Sequence, residues 1–330
     1  MKKRNIRILY ELAVLALTVC LLWTALFRLG CYYMPERTLY GSVWSSYLQE
    51  EPNSVDVLFL GSSRAYCNVI PAEIYEQTGL SSYVMAGPAQ TVSLTYYYLR
   101  ECLKTQTPQA VFVEVSGAFY PASADHSKDN VCYMPWGLNR ILAAAACEDG
   151  ILELALYPLQ EFHSRAYEPN PHPASNPEGV MLCGYTPLDK AEPQQERTLR
   201  RTGVKPDSEQ YENNLGYLRK IATLCRDRGI ACVFFMAPSM NPYPAQMEAR
   251  LFADLRALPC SAAEDWQDLV DELGIDAQTD WYDNIHFNTR GAEKFTAHLS
   301  GYLQDLGLSP ARNADAELWS RRIAWLNDKT

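Results

Sequence analysis

Two separated groups of residues have the types and spacing for nucleophilic catalysis. An apolar run, Val55 to Leu60, stops at Gly61 and is followed at once by the hydroxyls of Ser62 and Ser63. Far along the chain, Asp283-Asn-Ile-His286 places a carboxylate and an imidazole three residues apart. A serine hydroxyl becomes a good nucleophile when an imidazole takes its proton, and a carboxylate orients that imidazole. The two groups together predict a Ser-His-Asp site.

Each group also has a purely structural explanation. Gly-Ser-Ser after a strand is a common turn, and Asp-x-x-His is common in loops and at helix starts. Cys67 is a rival nucleophile, although it lies beyond the apolar run and belongs to no motif. The order of the two groups, and their places at a predicted strand end and helix start, favour the catalytic interpretation. The other histidines are predicted to be solvated or packed: His126, His163, His172 and His298.

The elements that must position these residues alternate between strand and helix. This alternation is typical of a parallel α/β sheet covered on both faces, in which ligands bind outside the carboxyl ends of the strands. Predicted strands are Val55–Leu60, Tyr83–Ala86, Ala110–Val115 and Ile230–Met236; predicted helices are Pro71–Gly79, Thr91–Lys104, Ser208–Arg228, Ala245–Leu258, Ala262–Leu273 and Asn288–Leu306, before a polar C-terminal helix.

The N-terminus has the composition of a membrane anchor. Four basic residues lie within positions 1–7, and an apolar stretch from Ile8 to Phe27 follows, interrupted only by Glu11. About 20 apolar residues span a bilayer core, and a basic flank favours a cytoplasmic N-terminus with the rest of the chain outside. A cleaved signal peptide and a buried helix are the alternatives, but no small-x-small cleavage pattern follows the stretch. We therefore predict an uncleaved, single-pass anchor in the cell membrane and an extracytoplasmic body.

The predicted organisation has four parts: a basic cytoplasmic tail (1–7), the transmembrane anchor (8–27), a juxtamembrane segment (28–51) and an α/β domain (52–330). Within the domain, an insertion at about 119–202 shows little periodicity apart from a helical pattern at Leu138–Leu156, and it contains seven prolines between Pro158 and Pro193. Loops of that length are commonly functional. We expect the insertion to lie over one edge of the domain and to line the crevice above Ser63.

Composition excludes several classes of protein. The chain has 330 residues, of which 48% are hydrophobic and 21% charged, as in ordinary globular proteins. Its net charge is −10, and 25 basic residues face 39 acidic ones after position 7, so the body should repel nucleic acid. The five histidines are scattered and the ten cysteines include no Cys-x-x-Cys pair. No metal and no cofactor is therefore predicted, and the spacing of the cysteines gives no disulfide framework, although an exported body could form disulfides.

These residues resemble blocks of the SGNH/GDSL hydrolase superfamily. Gly61-Ser62-Ser63 is similar to its first block, Gly87 to its second, and Asp283-Asn-Ile-His286 to its fifth, in the same order. The single N-terminal anchor and the Gly-Ser-Ser-Arg form of the first block are similar to the envelope-modifying branch, which includes the alginate O-acetylation proteins and the D-alanyl-lipoteichoic acid transfer protein. The resemblance covers roughly Val55–Leu306, leaves the insertion unaligned, and implies a flavodoxin-like three-layer sandwich with a parallel sheet.

The resemblance also implies a role for each matched residue. It makes Ser63 the nucleophile, His286 the general base and Asp283 the residue that orients the imidazole. It assigns the stabilisation of the oxyanion to the backbone N–H groups of Ser63 and Gly87. Gly87 is expected there because a glycine allows the close approach of substrate.

One block departs from the family pattern. The third block, Gly-x-Asn-Asp, supplies a side-chain oxyanion donor, whereas the third strand here runs into Glu114-Val-Ser-Gly117. Ser116 is expected to take the place of that donor, or the donor is absent. Arg64 is expected to be a surface partner for an acid or a contact to an anionic group.

The predicted function is Ser-dependent acyl transfer to, or ester hydrolysis on, a cell-envelope glycan. Acetyl as the acyl group, and a multi-spanning membrane acyltransferase as a partner, follow from the resemblance only. The alternative is a catalytically silent binding or scaffold protein that uses the same fold to hold a polymer or an acyltransferase. The missing Asn of the third block favours that alternative, and the complete Ser-His-Asp set favours an enzyme.

Overall fold

A computed structural model of the protein describes residues 2–33, 44–121, 126–148, 150, 154, 163, 177–200, 203–311 and 313–329. Its centre is a five-stranded sheet in which every neighbouring pair of strands is parallel. The strand order β2-β1-β3-β4-β5 is that of flavodoxin-like folds. The strands are β1 (Val57–Gly61), β2 (Ser82–Ala86), β3 (Ala110–Glu114), β4 (Ala231–Met236) and β5 (Ala262–Asp265).

Helices cover both faces of the sheet, which explains why β1 to β4 are apolar on both sides rather than alternating. Leu58 and Leu60 pack toward the helices at 92–102, 209–227 and 245–256, while Val57 and Phe59 pack toward those at 71–78 and 289–305. The predicted three-layer α/β sandwich is therefore confirmed. The helices are α1 (Lys2–Tyr33), α2 (Trp44–Tyr47), α3 (Ser63–Tyr66), α4 (Pro71–Thr78), α5 (Val92–Cys102), α6 (Ser127–Val131), α7 (Leu138–Ala145), α8 (Pro177–Leu182), α9 (Glu209–Asp227), α10 (Ala245–Arg256), α11 (Thr289–Asp305) and α12 (Ala316–Lys329).

The prediction of a helix at Ala262–Leu273 is wrong. Residues Ala262–Asp265 form β5, which pairs with β4, and turns follow it. Alanine, glutamate and leucine favour a helix locally, but the open edge of β4 offers unpaired backbone groups to any neighbouring segment. Trp266 then enters the core behind β4, where it contacts Phe235 and Phe295. Tertiary pairing and packing thus override the local preference.

The N-terminal helix α1 is long and apolar enough to cross a membrane between Arg4 and Leu26. It continues past Phe27 to Tyr33, beyond the predicted end of the anchor. The end of the predicted juxtamembrane segment belongs to the body, because Trp44 and Tyr47 of α2 are buried in the core and the Tyr47 hydroxyl donates to Cys102 O at 3.2 Å.

The insertion is more ordered, where it is described, than its sequence predicts. The helix α7 packs beside α5, α6 packs against α7, and α8 packs against α12. The helical pattern at Leu138–Leu156 is observed as α7, and most of its second half lies outside the described residues, as does His172. Residues 183–200, which we name the strap, then run along the carboxyl-end side of the sheet. Their backbone hydrogen bonds join Cys183 to Val84, Thr186 to Tyr66, Leu188 to Thr289, Glu192 to Trp281 and Thr198 to Met240.

Candidate active site

The turn after β1 exposes one hydroxyl at the carboxyl end of the sheet. The turn requires Gly61, because its φ is +145° and a Cβ there would lie 2.9 Å from the Cβ of Glu114. Ser62 is extended and buried, and Ser63 begins the short helix α3. The side chain of Ser63 is only partly buried, so its hydroxyl is open to a substrate.

The second half of the site is a tight loop between β5 and α11. Trp281 and Phe287 form an antiparallel bridge that closes the loop. Within it, Oδ1 of Asp283 accepts hydrogen bonds from the backbone N–H groups of Ile285 and His286, each at 2.8 Å. This arrangement is an Asx turn, and it fixes the carboxylate beside the imidazole three residues later.

The fold brings the two halves into direct contact. Nε2 of His286 lies 2.7 Å from Oγ of Ser63, and Nδ1 lies 2.8 Å from Oδ2 of Asp283. Since the carboxylate accepts from Nδ1–H, Nε2 is left to accept the proton of the Ser63 hydroxyl. The side chains of His286 and Asp283 are 17% and 36% exposed. The geometry is that of a nucleophile, a base and a group that orients the base.

The electrostatics of the loop keep Asp283 charged. Burial opposes ionisation, but the hydrogen bond and charge of His286 and the two backbone N–H donors outweigh it, so the pKa of Asp283 is lowered. A carboxylate in this state can stabilise an imidazolium that forms during reaction. Cys67, the rival nucleophile, is buried, and burial together with the charge of Asp283 raises the pKa of its thiol well above the usual value. Its thiolate is therefore suppressed.

Gly87 follows β2 beside the Ser63 turn and is closely packed. A Cβ at this position would lie 1.8 Å from Oδ1 of Asn130, so no other residue fits without displacing that side chain. Among the described residues, the backbone N–H groups of Ser63 and Gly87 have no hydrogen-bond acceptor. Both remain candidates for oxyanion donors.

The prediction that Ser116 replaces the missing side-chain oxyanion donor is wrong. Its hydroxyl donates to Oε2 of Glu114 at 2.6 Å and its backbone N–H donates to the same oxygen at 3.2 Å. The residue is fully buried. Both of its protons are therefore committed to the carboxylate, and neither can reach an oxyanion.

The prediction that Arg64 is a surface partner for an acid or a contact to an anionic group is right about the acid and wrong about the surface and the substrate. Its side chain is 2% exposed and points beneath the turn, where Nη1 lies 3.5 Å from Oε1 of the buried Glu114. Nη2 donates to the carbonyl oxygens of Ala237 and Pro238, just beyond β4. Arg64 thus joins the ends of three neighbouring strands below Ser63 and supports the turn that carries it.

Two residues of the insertion, Tyr120 and Asn130, lie at the site and were not predicted from the sequence. The hydroxyl of Tyr120 lies 3.1 Å from Oγ of Ser62 and 3.2 Å from Oγ of Ser116. Asn130, in α6, donates to Pro88 O at 3.0 Å and packs against Gly87. The position of Tyr120 shortly after β3, at the carboxyl end of the sheet, was the one signal in the sequence that could have identified it.

No cluster of three or more His, Cys, Asp or Glu side chains in the described part of the chain could hold a metal ion.

A buried acid near the site makes stability depend on pH. Burial, together with the charges of Asp265 and Asp268, raises the pKa of Glu248 to about 8, against the opposing charges of Arg64 and Arg197. Between about pH 4.5 and 8 the folded protein keeps a proton that the unfolded chain has lost, so stability should fall as pH rises through this window and level off above it. Thermal unfolding at pH 5 and pH 8 should show a smaller difference in Tm for Glu248→Gln than for the wild type. Equal pH dependence in both proteins would contradict the assignment.

Comparison with known proteins shows a weak structural likeness. No protein-family model matches the chain, and no curated protein matches it. One solved structure, of a candidate acylhydrolase from Bacteroides fragilis NCTC 9343, aligns with 80% of this chain and 94% of its own. The sequence identity is 11% and the TM-score is 0.39. A likeness of this degree does not assign an activity.

Proposed function

We propose that this protein is a membrane-anchored serine esterase or O-acyltransferase that acts on acyl esters of a cell-envelope glycan. The hydrogen-bonded chain from Ser63 through His286 to Asp283, at the partly exposed carboxyl end of a parallel sheet, carries the proposal. Acetyl is the proposed acyl group. The envelope assignment rests on the resemblance of the motifs and on the basic flank of a helix long enough to span a membrane.

The geometry supports a two-step reaction. Oγ of Ser63 attacks the ester carbonyl carbon while its proton passes to Nε2 of His286, and the N–H groups of Ser63 and Gly87 face the resulting oxyanion. Collapse of this intermediate breaks the ester bond, and the departing alcohol takes the proton from His286. The acyl group is then carried on Ser63. In the second step, water or a sugar hydroxyl gives its proton to Nε2 of His286 and attacks the acyl carbon. The bond between that carbon and Oγ of Ser63 then breaks, and Oγ takes the proton back from His286.

The choice between hydrolysis and transfer depends on what occupies the acceptor position. A transferase must hold a sugar hydroxyl where water would otherwise attack. The strap lies beside the catalytic loop, since Glu192 N donates to Trp281 O at 2.8 Å and Thr198 N donates to Met240 O at 3.0 Å. Its backbone is thus well placed to form one wall of an acceptor groove.

One observation favours the alternative of a catalytically silent binding or scaffold protein for a polymer or a membrane acyltransferase. Because Ser116 donates to Glu114, the described residues offer no side-chain oxyanion donor at the end of β3. Loss of one such donor lowers the rate by about 10²–10³ in serine proteases, which weakens an enzyme without silencing it. A complete triad therefore outweighs this observation.

Labelling with a serine-reactive fluorophosphonate separates the two functions. Only a serine activated by a base should react, so the full-length protein in detergent should be labelled once, at Ser63. Ser63→Ala should not be labelled, and peptide mapping should find the adduct on residue 63. A wild-type protein that stays unlabelled while still binding glycan would support the scaffold function instead.

A further inference from the structure

A cleft adjoins the site on the side of the insertion. It has a volume of about 330 Å³ and is lined by Phe119, Tyr120, Pro121, Arg200, Gly203, Val204 and Tyr243. Its walls are therefore mainly aromatic and apolar, with one guanidinium group among them. Ligand cavities in proteins range from about 300 to 1,000 Å³, so this cleft has room for a single small unit rather than a long chain.

Tyr120 connects the cleft to the proposed nucleophile. The residue lines the cleft, and its hydroxyl lies 3.1 Å from Oγ of Ser62, the residue directly before Ser63. Through Tyr120 and Ser62, the cleft therefore adjoins the turn that carries Ser63. This position suits a neighbouring unit of the same substrate.

Arg200 is held rigidly but keeps an unused donor group. Its Nε donates to Asn241 Oδ1 at 3.2 Å, its Nη1 donates to the Tyr243 hydroxyl at 2.7 Å, and its backbone N–H donates to Pro242 O at 2.7 Å. The guanidinium carbon lies 5.0 Å from the centre of the Tyr243 ring, within the range of a cation–π contact. In the described part of the chain, no carboxylate pairs with Arg200 and no acceptor faces Nη2.

Among the described residues, no acidic side chain forms an ion pair with Arg200, and such a cation in an aromatic cleft favours a particular ligand chemistry. Aromatic walls pack against the apolar face of a sugar ring. A guanidinium group pairs strongly with a carboxylate or a phosphate. An apolar acyl chain is disfavoured, because it would cover the charge without providing an acceptor.

From this arrangement we propose that the cleft is a subsite for one sugar unit that carries a negative charge, with Arg200 as the residue that selects it. This subsite rests on the proposed function, because it would bind one unit of the glycan substrate. The bound unit would place the neighbouring acyl ester or acceptor hydroxyl at Ser63. The shared chemistry is an anionic hexose, charged by a carboxylate or by a phosphate.

Binding can be measured without catalysis in full-length Ser63→Ala protein in detergent. The probes for saturation-transfer NMR are D-glucuronic acid, D-glucose 6-phosphate and methyl glucoside. At least one anionic sugar should bind about tenfold or more tightly than the neutral one, since hydrogen bonds to charged groups are among the strongest in water. The two anionic arms distinguish a uronate from a sugar phosphate.

Variants at the cleft test the role of Arg200. In the Ser63→Ala background, Arg200→Met should abolish the preference for the anionic sugar, and Arg200→Lys should restore part of it, because lysine keeps the charge but not the planar fork. Arg219→Met, which removes an exposed arginine of α9, is the matched control and should bind like its parent. If Arg200→Met does not fold, Tyr243→Phe serves instead. It keeps the ring but removes the hydroxyl that holds Nη1, so the guanidinium group loses its fixed orientation and anion binding should weaken several-fold.

The possible results separate the subsite from the proposed function. Equal binding of all three sugars, or no binding of any, would overturn the subsite whatever the labelling of Ser63 shows. Binding that depends on Arg200 in a protein whose Ser63 never reacts would keep the subsite and reject the esterase.

Discussion

Alanine at Ser63 or His286 should lower kcat/KM for hydrolysis of a small activated ester by about 10⁴- to 10⁶-fold. The two side chains share one hydrogen bond of 2.7 Å, and each is ineffective without the other, because an unactivated hydroxyl is a poor nucleophile. In a serine protease the loss of either residue alone removes nearly as much rate as the loss of the whole triad. The double variant Ser63→Ala/His286→Ala should therefore be no slower than either single one. Steady-state kinetics with 4-nitrophenyl acetate measure all three.

Two further variants sharpen this test. Asp283→Asn should reduce the rate by up to about 10⁴-fold while leaving the fold intact, because an amide favours the wrong tautomer of His286. Cys67→Ala is the control, since the buried thiol has a raised pKa and no part in the chain of hydrogen bonds. It should retain activity within a few-fold. Full activity in Ser63→Ala, or loss of activity in Cys67→Ala alone, would move the nucleophile to another residue.

The sequence is sufficient for the parts of the fold that depend on local patterns. The apolar runs of β1 to β4 are buried on both faces, so composition alone distinguishes them, and Gly79 and Asn288 mark a helix end and a helix start. β5 is different, because Ala262–Asp265 forms a strand only where β4 offers an edge. Local preference cannot reveal that edge. Within the insertion, α6 and α8 escape prediction for a similar reason, since they are fixed by packing on α7 and α12.

The residues of the candidate site also differ in how far local patterns predict them. Ser63 and His286 follow from local signals, a strand that ends at a glycine and a loop that precedes a helix cap. The positions of Arg64 and Ser116 depend on Glu114, whose carboxylate turns both residues inward. The sequence places Glu114 at the end of a predicted strand, but it does not show which side chains pair with that carboxylate. Arg200 likewise reaches the site only because the strap folds back across the sheet.

Removal of one partner from the buried Arg64 and Glu114 pair should give the largest loss of stability of any single substitution near the site. The side chains are 2% and 0% exposed, so water cannot solvate the charge that is left behind. Loss of one member of a buried pair typically costs about 3–5 kcal/mol. Glu114→Gln and Arg64→Met should thus each lower Tm by on the order of 10 °C. The loss should also reduce activity, because Arg64 adjoins Ser63 and holds the turn to Ala237.

An exposed ion pair provides the matched control. It shows whether the loss of stability depends on the burial of the pair or on the distance between its charges. Arg226 and Asp227 lie closer together, at 2.7 Å against 3.5 Å, but each is 58% exposed. Such a pair contributes about 0–1 kcal/mol, so Asp227→Asn should change Tm by no more than a few degrees. The double variant Arg64→Met/Glu114→Leu should recover much of the stability lost by either single one, because no unpaired charge remains buried. The double variant could instead lose as much stability as the two single variants together. In that case the pair stabilises the turn before Ser63 through its hydrogen bonds to the strand ends, and neutralisation of the two charges is not the cause.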